Sequence, residues 1–253
     1  PESQALWPRT LADKDWARAD AEYTVDERGK GQWHFRHALD DAWLMSYRQL
    51  KFWARCTPFR HTGVFPEQAA LWDWFAERTK PNMQVLNLFG YTGLASLVAA
   101  RGGAQVTHVD ASKPALAWAK ENQNASGLTD KPIRWLLDDA TKFVQREIRR
   151  GHNYDGILLD PPAYGRGRDG ETWRWADSLA PLLEGCMKLS SAEARYVIIT
   201  AYAIEASAVM LANLLAPLVQ ARGGEVSMGE LALSETSSGK LLSRALFARW
   251  SRE

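Results

Sequence analysis

The run Val85-Leu-Asn-Leu-Phe-Gly-Tyr-Thr-Gly93 constrains this chain more than any other stretch. A short apolar segment feeds two closely spaced glycines, and Leu94-Ala-Ser-Leu-Val-Ala-Ala100, a good helix former, follows at once. This pattern predicts a strand, a tight turn and a helix start, the first half of a βαβ unit. Gly90 and Gly93 let the main chain bend sharply and leave room for a ligand beside it. Many buried strands also end in Gly-x-x-Gly, so a plain structural turn explains this stretch about as well.

The next strand ends tip the balance. Gln105-Val-Thr-His-Val-Asp110 reads as a second strand closed by an acid, and a carboxylate there commonly accepts hydrogen bonds from ribose hydroxyls. A helix through Asn122 leads to a third strand, Ile133-Arg-Trp-Leu-Leu137, followed by Asp138 and Asp139. After another helix, Tyr154-Asp-Gly-Ile-Leu-Leu-Asp160-Pro161-Pro162 forms a fourth strand closed by Asp-Pro-Pro. Arg195–Thr200 reads as the fifth strand. A helix containing Pro217 follows, then Glu225–Leu233 and Arg244–Trp250 as the last two strands, with Ser234–Ser243 as a polar loop. That loop's Ser-Ser-Gly-Lys is not a Walker loop, because Ser234 replaces the first glycine and Leu241 the Ser/Thr. In an open parallel sheet, ligands sit outside the carboxyl ends of the strands. The glycines and the three acids should therefore share one edge.

In this order and spacing the motifs resemble those of class I S-adenosylmethionine-dependent methyltransferases. They are most similar to the bacterial 23S rRNA family that includes large-subunit methyltransferase I. The pattern Leu-Asn-x-Phe-x-Tyr-Thr-Gly, Val-Asp, Asn, Asp-Ala/Val-x-x-Phe, Asp-Pro-Pro is matched by Leu86–Gly93, Val109-Asp110, Asn122, Asp139–Phe143 and Asp160–Pro162. The likeness runs from about residue 60 to about residue 250. It implies an α/β fold with a Rossmann-like seven-stranded methyltransferase sheet, mostly parallel with one antiparallel strand. It also implies S-adenosyl-L-methionine as cofactor.

The resemblance carries over to particular residues. Asp110, with Ala111 beside it, would hold the ribose diol. Asp139 would take the adenine amine, with the backbone of Ala140 at the ring edge. Asp138 could be confused with it, and Asp139 is preferred because it heads the Asp-Ala-x-x-Phe pattern. Main chain at Phe89, Gly90, Tyr91, Thr92 and Gly93 would face the methionine portion, with Asn87 steadying the loop and Asn122 among the cofactor residues. The segment His61-Thr-Gly-Val-Phe-Pro-Glu-Gln68 precedes a helix from Ala69 to about Arg78 and matches a family segment near the cofactor, which makes Phe65 and Gln68 candidate contacts. The plainer reading is a helix-initiating loop with Pro66 in the first turn and Phe65 buried.

Asp160-Pro161-Pro162-Ala163-Tyr164 is the candidate catalytic motif. Methyl transfer needs an in-line nucleophile about 3 Å from the methyl group, so most of the catalysis can be positioning. In amino-group methyltransferases with this motif, the acid and the first proline's carbonyl accept hydrogen bonds from the target amine, and the aromatic stacks on the base. Asp160, Pro161 and Tyr164 take those roles by resemblance, although Ala163 displaces the aromatic by one place. Arg166 and Arg168 follow directly, and arginines beside a base pocket often contact phosphate. A solvated loop is almost as good an account of them. Cytosine-C5 members of the family need a cysteine after the fifth strand to attack the base. Here Thr200-Ala-Tyr-Ala-Ile204 stands in that place, Cys186 sits in an apolar helix pattern and Cys56 lies far upstream, so a nitrogen target is favoured.

The whole chain bounds these readings. Its 253 residues, 46% hydrophobic, suffice for one large α/β domain with an appendage. No run approaches the length of a membrane span, and the polar start Pro1-Glu-Ser-Gln4 does not read as a secretory signal. Two distant cysteines give neither a disulfide framework nor a metal spacing, and a cytoplasmic location is expected. Net charge is +1, without the basic excess of a dedicated nucleic-acid binder, and the family's amino-terminal RNA-binding domain is not recognisable. The chain begins as if cut from something longer.

Residues 1–60 are expected to form a small antiparallel β appendage, from strands at Trp33–Arg36, Ala42–Tyr47 and Leu50–Arg55 with turns at Asp40-Asp41 and Arg48-Gln49. Trp33, His34 and His37 read there as packing and surface, with no metal site. Residues 61–253 form the methyltransferase domain. RNA, in particular rRNA, is the favoured substrate. A small molecule or protein side chain is the alternative, and a non-catalytic nucleotide-binding module a third reading.

Overall fold

Neighbouring residues of the segment at Val85 face opposite sides of a sheet. Val85 packs into one apolar cluster and Leu86 and Leu88 into another, all without exposed surface. A parallel strand buried on both faces calls for such a continuous apolar run. The computed structural model describes residues 5–58, 60–166, 170 and 172–252. In chain order the elements begin with helix α1 (Asp13–Trp16) and strands β1 (Ala21–Val25), β2 (Gly31–Phe35), β3 (Trp43–Tyr47) and β4 (Leu50–Ala54). They continue with α2 (Ala69–Arg78), β5 (Gln84–Leu88), α3 (Leu94–Arg101), β6 (Gln105–Asp110), α4 (Lys113–Ala125), β7 (Ile133–Leu137) and α5 (Ala140–Arg150). The last are β8 (Gly156–Leu159), β9 (Tyr164–Arg166), β10 (Thr172–Arg174), α6 (Trp175–Leu189), β11 (Tyr196–Ala201), α7 (Ala208–Val219), β12 (Glu225–Ser234) and β13 (Leu241–Ser251).

Seven strands form one sheet in the order β12-β13-β11-β8-β5-β6-β7. The run from β11 to β7 is parallel, and β13 is antiparallel to both of its neighbours. The expected seven-stranded, mostly parallel α/β fold is met. The strand order reverses at β5, where β6 lies on one side and β8 on the other, and a crevice opens outside their carboxyl ends. Leu71, Phe75, Leu94 and Leu97 from α2 and α3 cover one face. Phe143, Leu183 and Leu215 from α5, α6 and α7 cover the other. Among the described residues, no helix is long and apolar enough to cross a membrane.

The amino-terminal β structure departs from expectation in its pairing. β2 pairs with β1, not with β3, and β3–β4 forms a separate hairpin. Asp26 explains the first hairpin: its side chain accepts from the backbone of Arg28 and Lys30 and closes the turn. Ala21–Val25 went unread because five residues of half-exposed alternation give little signal. The second hairpin turns at Arg48-Gln49 as expected. It is clamped to the main body, with Lys51 bonded to Ser126, Trp53 to Asn122 and Arg48 to Asp73. β9 and β10 form a short ribbon where only a loop was expected, and β13 begins at Leu241, so the loop before it is shorter than predicted.

Candidate active site

The glycine turn is held in an unusual backbone shape. Phe89, Tyr91 and Gly93 all have left-handed φ, at 59°, 48° and 84°. For the two aromatic residues this costs roughly 1–2 kcal/mol each, so the surroundings must enforce it. Tyr91 donates its N–H to Asp110 Oδ2 at 2.8 Å, and Gly90 donates to the Val109 carbonyl at 3.2 Å. The Thr92 hydroxyl donates to the Gly63 carbonyl at 2.7 Å. Beneath the turn, Asn87 donates to Ser96 Oγ, which also bonds His108 Nδ1. His108 has no exposed surface, and burial holds its imidazole down to about 3, so it is neutral. A Cβ on Gly90 would stand 2.3 Å from His108 Cε1, so only glycine fits there.

The acids at the strand ends differ in how much of each is already engaged. Asp110 also accepts from the Ser112 N–H at 2.8 Å; burial raises its carboxyl, and its two backbone donors oppose that rise. Asp138 is tied on both oxygens, to the Asp139 N–H and to the Arg146 guanidinium. Asp139 caps α5 by accepting from the Lys142 N–H through Oδ1, and its Oδ2 has no partner among the described residues. Asp160, one residue past β8, accepts from the Thr200 hydroxyl through Oδ1 and from Gln68 Nε2 through Oδ2 at 3.4 Å. Burial pushes its carboxyl up to about 6; the Thr200 bond works against that rise and the charge of Glu67 adds to it.

Two cavities meet at this point. A deep one of about 70 Å³ is lined by Gln68, Asn87, Gly90, Thr92 and Thr200, among others. An outer cleft of about 280 Å³ is lined by Asp110, Ala111, Asp139, Ala140 and Pro162, among others. Phe65, Phe89, Tyr91 and Asp160 line both. Most of the residues singled out from sequence therefore gather around one hollow at the carboxyl edge of the sheet.

Others lie elsewhere. Asn122 is 1% exposed and lines neither cavity; its side chain accepts from the Trp53 N–H at 2.8 Å and donates to the Thr92 carbonyl at 3.0 Å. It braces the turn from behind and does not face the cleft. Tyr164 is 55% exposed on β9 and does not line the cleft either. Arg166 ends β9, its side chain is outside the described part of the structure, and Arg168 is outside the described residues altogether. Gly93 lines neither cavity and starts α3. Among the described residues, no cluster of His, Cys, Asp and Glu is arranged to hold a metal.

Sequence reasoning missed three aromatic or imidazole groups in the cleft, His61, Trp173 and Tyr202, which pack there with Phe65, Phe89 and Tyr91. His61 bonds Tyr91 Oη through Nδ1 at 3.2 Å, and burial lowers its imidazole. Phe65 lies 5.7 Å from Tyr202 and 5.8 Å from Tyr91, ring centre to ring centre. Trp173 packs on Phe89 at 5.0 Å and donates to the Pro162 carbonyl at 2.7 Å. Trp173 arrives from β10, in the ribbon after β8, and Tyr202 from the segment just past β11, and no local motif announces either. Four carboxylates line the cleft, with Asp138 already tied to Arg146, and together with the flat rings and a shaped main-chain turn they suit a ligand with a hydroxyl pair, a planar amine-bearing ring and a positive centre.

The chain can now be set beside known proteins. Residues 67–173 match the family model described as Conserved hypothetical protein 95. A methyltransferase structure from Streptococcus mutans, proposed to be S-adenosylmethionine-dependent, shares 18% identity over 94% of this chain and 62% of its own, with a TM-score of 0.73. Another proposed methyltransferase, complexed with S-adenosylhomocysteine, gives 18%, 94%, 63% and 0.70. At those identities the likeness is one of fold. The crystal structure of the S-adenosylmethionine-dependent methyltransferase from Agrobacterium tumefaciens is far nearer, at 46% identity over 100% of this chain and 83% of its own, with a TM-score of 0.96. With the cleft at the switch in strand order and an identity of that size over its whole length, this chain belongs to the S-adenosylmethionine-dependent methyltransferases.

Proposed function

We propose that this methyltransferase acts in the cytoplasm on a nucleobase nitrogen in RNA, with rRNA the favoured source. The observation that carries the reading is Asp160 at the junction of the two cavities, beside a Pro161 carbonyl with no hydrogen-bond partner among the described residues. An amine presented there would meet the Asp160 carboxylate, whereas Pro161 lines neither cavity. S-adenosylmethionine, when bound, supplies a methyl group made electrophilic by its sulfonium. The residues of this chain have the other tasks. Asp110 would accept from the ribose hydroxyls, Asp139 would accept from the adenine amine, and the turn at Phe89–Thr92 would hold the methionine end. With its carboxyl near 6, Asp160 is mostly ionised at neutral pH and can accept the N–H of the target.

The thiols support nitrogen over carbon. Cys186 is buried in α6 and Cys56 follows β4; burial raises both, and neither lines either cavity. Both are free thiols, in keeping with a reducing compartment. The flat rings of Phe65, Tyr202 and Trp173 suit a planar acceptor, with exposed Tyr164, next in sequence to cleft-lining Gly165, as a stacking surface. We place the catalytic unit at residues 61–253 and treat 1–60 as an appendage, because β1–β4 form two sheets that share no ladder with the large one.

The near-neutral charge, +1, favours a second reading with a small-molecule or protein acceptor. Radiolabelled methyl transfer into cell fractions from a strain lacking the protein separates the two. Label in RNA that enters a methylated nitrogen of a base is the expected result. Label confined to protein or small molecules would overturn the RNA reading.

A further inference from the structure

We propose that Thr200 is a positioning residue that presets the Asp160 carboxylate for the methyl acceptor, an inference that rests on the acceptor-side role given to Asp160 above. Pairing of β11 with β8 sets Ile199 against Leu159, so the next residues along, Thr200 and Asp160, emerge side by side. Thr200 is 2% exposed, and a β-branched side chain in a strand has few rotamers to choose from. Its hydroxyl is thus delivered in one direction. It donates to Asp160 Oδ1 and also stands 3.3 Å from the Leu159 carbonyl. One proton serves one acceptor at a time, and the charged carboxylate is the stronger of the two.

The second oxygen is held differently. Gln68 reaches Oδ2 at 3.4 Å, the long limit of an N–H···O bond, whereas charge-assisted bonds settle near about 2.8 Å. Oδ2 therefore keeps acceptor capacity for an incoming N–H, while Oδ1 is the anchor. Thr200 fixes the plane of the carboxylate, and Gln68 yields to the acceptor. The titratable neighbours are Glu67, on the turn before α2, and Tyr202, just beyond β11; His61, Tyr91 and Asp110 line the same cleft. The Thr200 bond opposes the rise that burial and Glu67 impose on Asp160. Losing it should therefore keep the carboxyl protonated to higher pH.

The test follows the Asp160 carboxyl itself, by ¹³C NMR of protein labelled at aspartate, with Asp160→Asn identifying the signal. In Thr200→Val, which keeps the shape and removes the hydroxyl, the titration midpoint should rise by about one pH unit, a tenfold loss of the ionised form on the acid side. Thr200→Ser should restore the wild-type midpoint, and Thr200→Ala gives the same reading as valine should the valine variant fold poorly. The acid limb of methyl transfer into total RNA from the deficient strain should move by the same amount. A hydroxyl-free variant titrating like wild type, with Asp160→Asn inactive, overturns the role of Thr200 alone. Full transfer by Asp160→Asn overturns the role of Asp160 and this inference with it.

Discussion

Asp110 shows how one side chain can shape the loop and still face the cleft. Its oxygens accept from the N–H groups of Tyr91 and Ser112, and it lines the outer cavity as well. Asp110→Ala would strip two backbone donors of their partner, so Asp110→Asn, which keeps one acceptor oxygen, is the cleaner probe. It should weaken S-adenosylmethionine binding by about 1–3 kcal/mol in calorimetric titration, through lost charge-assisted bonds. Unchanged affinity in the folded variant would remove Asp110 from the site. Asp160 gives a prediction on stability. Its folded carboxyl sits near 6, above the ordinary aspartate value of 3.8, so between those values the folded state holds a proton that the unfolded state has released. The sign follows: stability falls as pH rises from about 4 through about 6 and is then level. Asp160→Asn should thus be the more stable protein at pH 8, by about 1–3 kcal/mol, and should lose that advantage near pH 4. A denaturant midpoint that does not differ at pH 8 would mean that the wild-type charge is better solvated than its burial implies.

At the scale of the element, the glycine in the turn between β5 and α3 and the one just after α4 are required for different reasons. Gly90 is needed because His108 fills the space below it, packed 4.6 Å from Trp135 and unable to retreat. Gly127 is different: its φ is +64° and nothing lies within 4 Å of a Cβ there. Gly127→Ala should cost about 1 kcal/mol and leave cofactor affinity alone. Gly90→Ala should cost more in thermal unfolding and abolish cofactor binding, because the turn must move away from β6. Equal costs in the two variants would show that the turn can shift without penalty. The same elements explain what could be read in advance. Val85–Gly93 and Gln105–Asp110 were legible because buried parallel strands are short apolar runs closed by a polar residue, and Ile133–Leu137, the half-buried edge strand, because it too is a short apolar run followed by an acid. β1, β9 and β10 were not, because three to five residues of ribbon carry no period strong enough to register. Asn122 was read as a cofactor residue because motif position reveals proximity to a site, not the direction of a side chain; both ends of its amide are spent on the backbone of Trp53 and Thr92.

For the molecule as a whole, the sheet places its acids and its glycine turn on one edge, and the question is what approaches that edge. With 31 basic against 30 acidic residues, long-range attraction to a polyanion is weak, so any hold on RNA must come from local contacts. Exposed Tyr164, beside cleft-lining Gly165, can add a stacking surface worth roughly 1–3 kcal/mol per base. Binding to rRNA fragments should therefore weaken with salt, but gently. Each phosphate contacted on a single strand contributes a slope of about −0.7 in log affinity against log salt, and two or three contacts would give about −1.4 to −2.1 by that rule. Tyr164→Ala should reduce affinity by a similar factor at every salt concentration and leave the slope alone, because stacking releases no counterions. It should also leave S-adenosylmethionine affinity intact, since Tyr164 does not line the cleft that holds Asp110 and Asp139. Filter binding at two salt concentrations, with wild type and Tyr164→Ala, reads both terms. Affinity that ignores salt, or a tyrosine variant that binds RNA as wild type does, would turn the search toward an acceptor small enough to be held by Asp160 and the rings of the cleft alone.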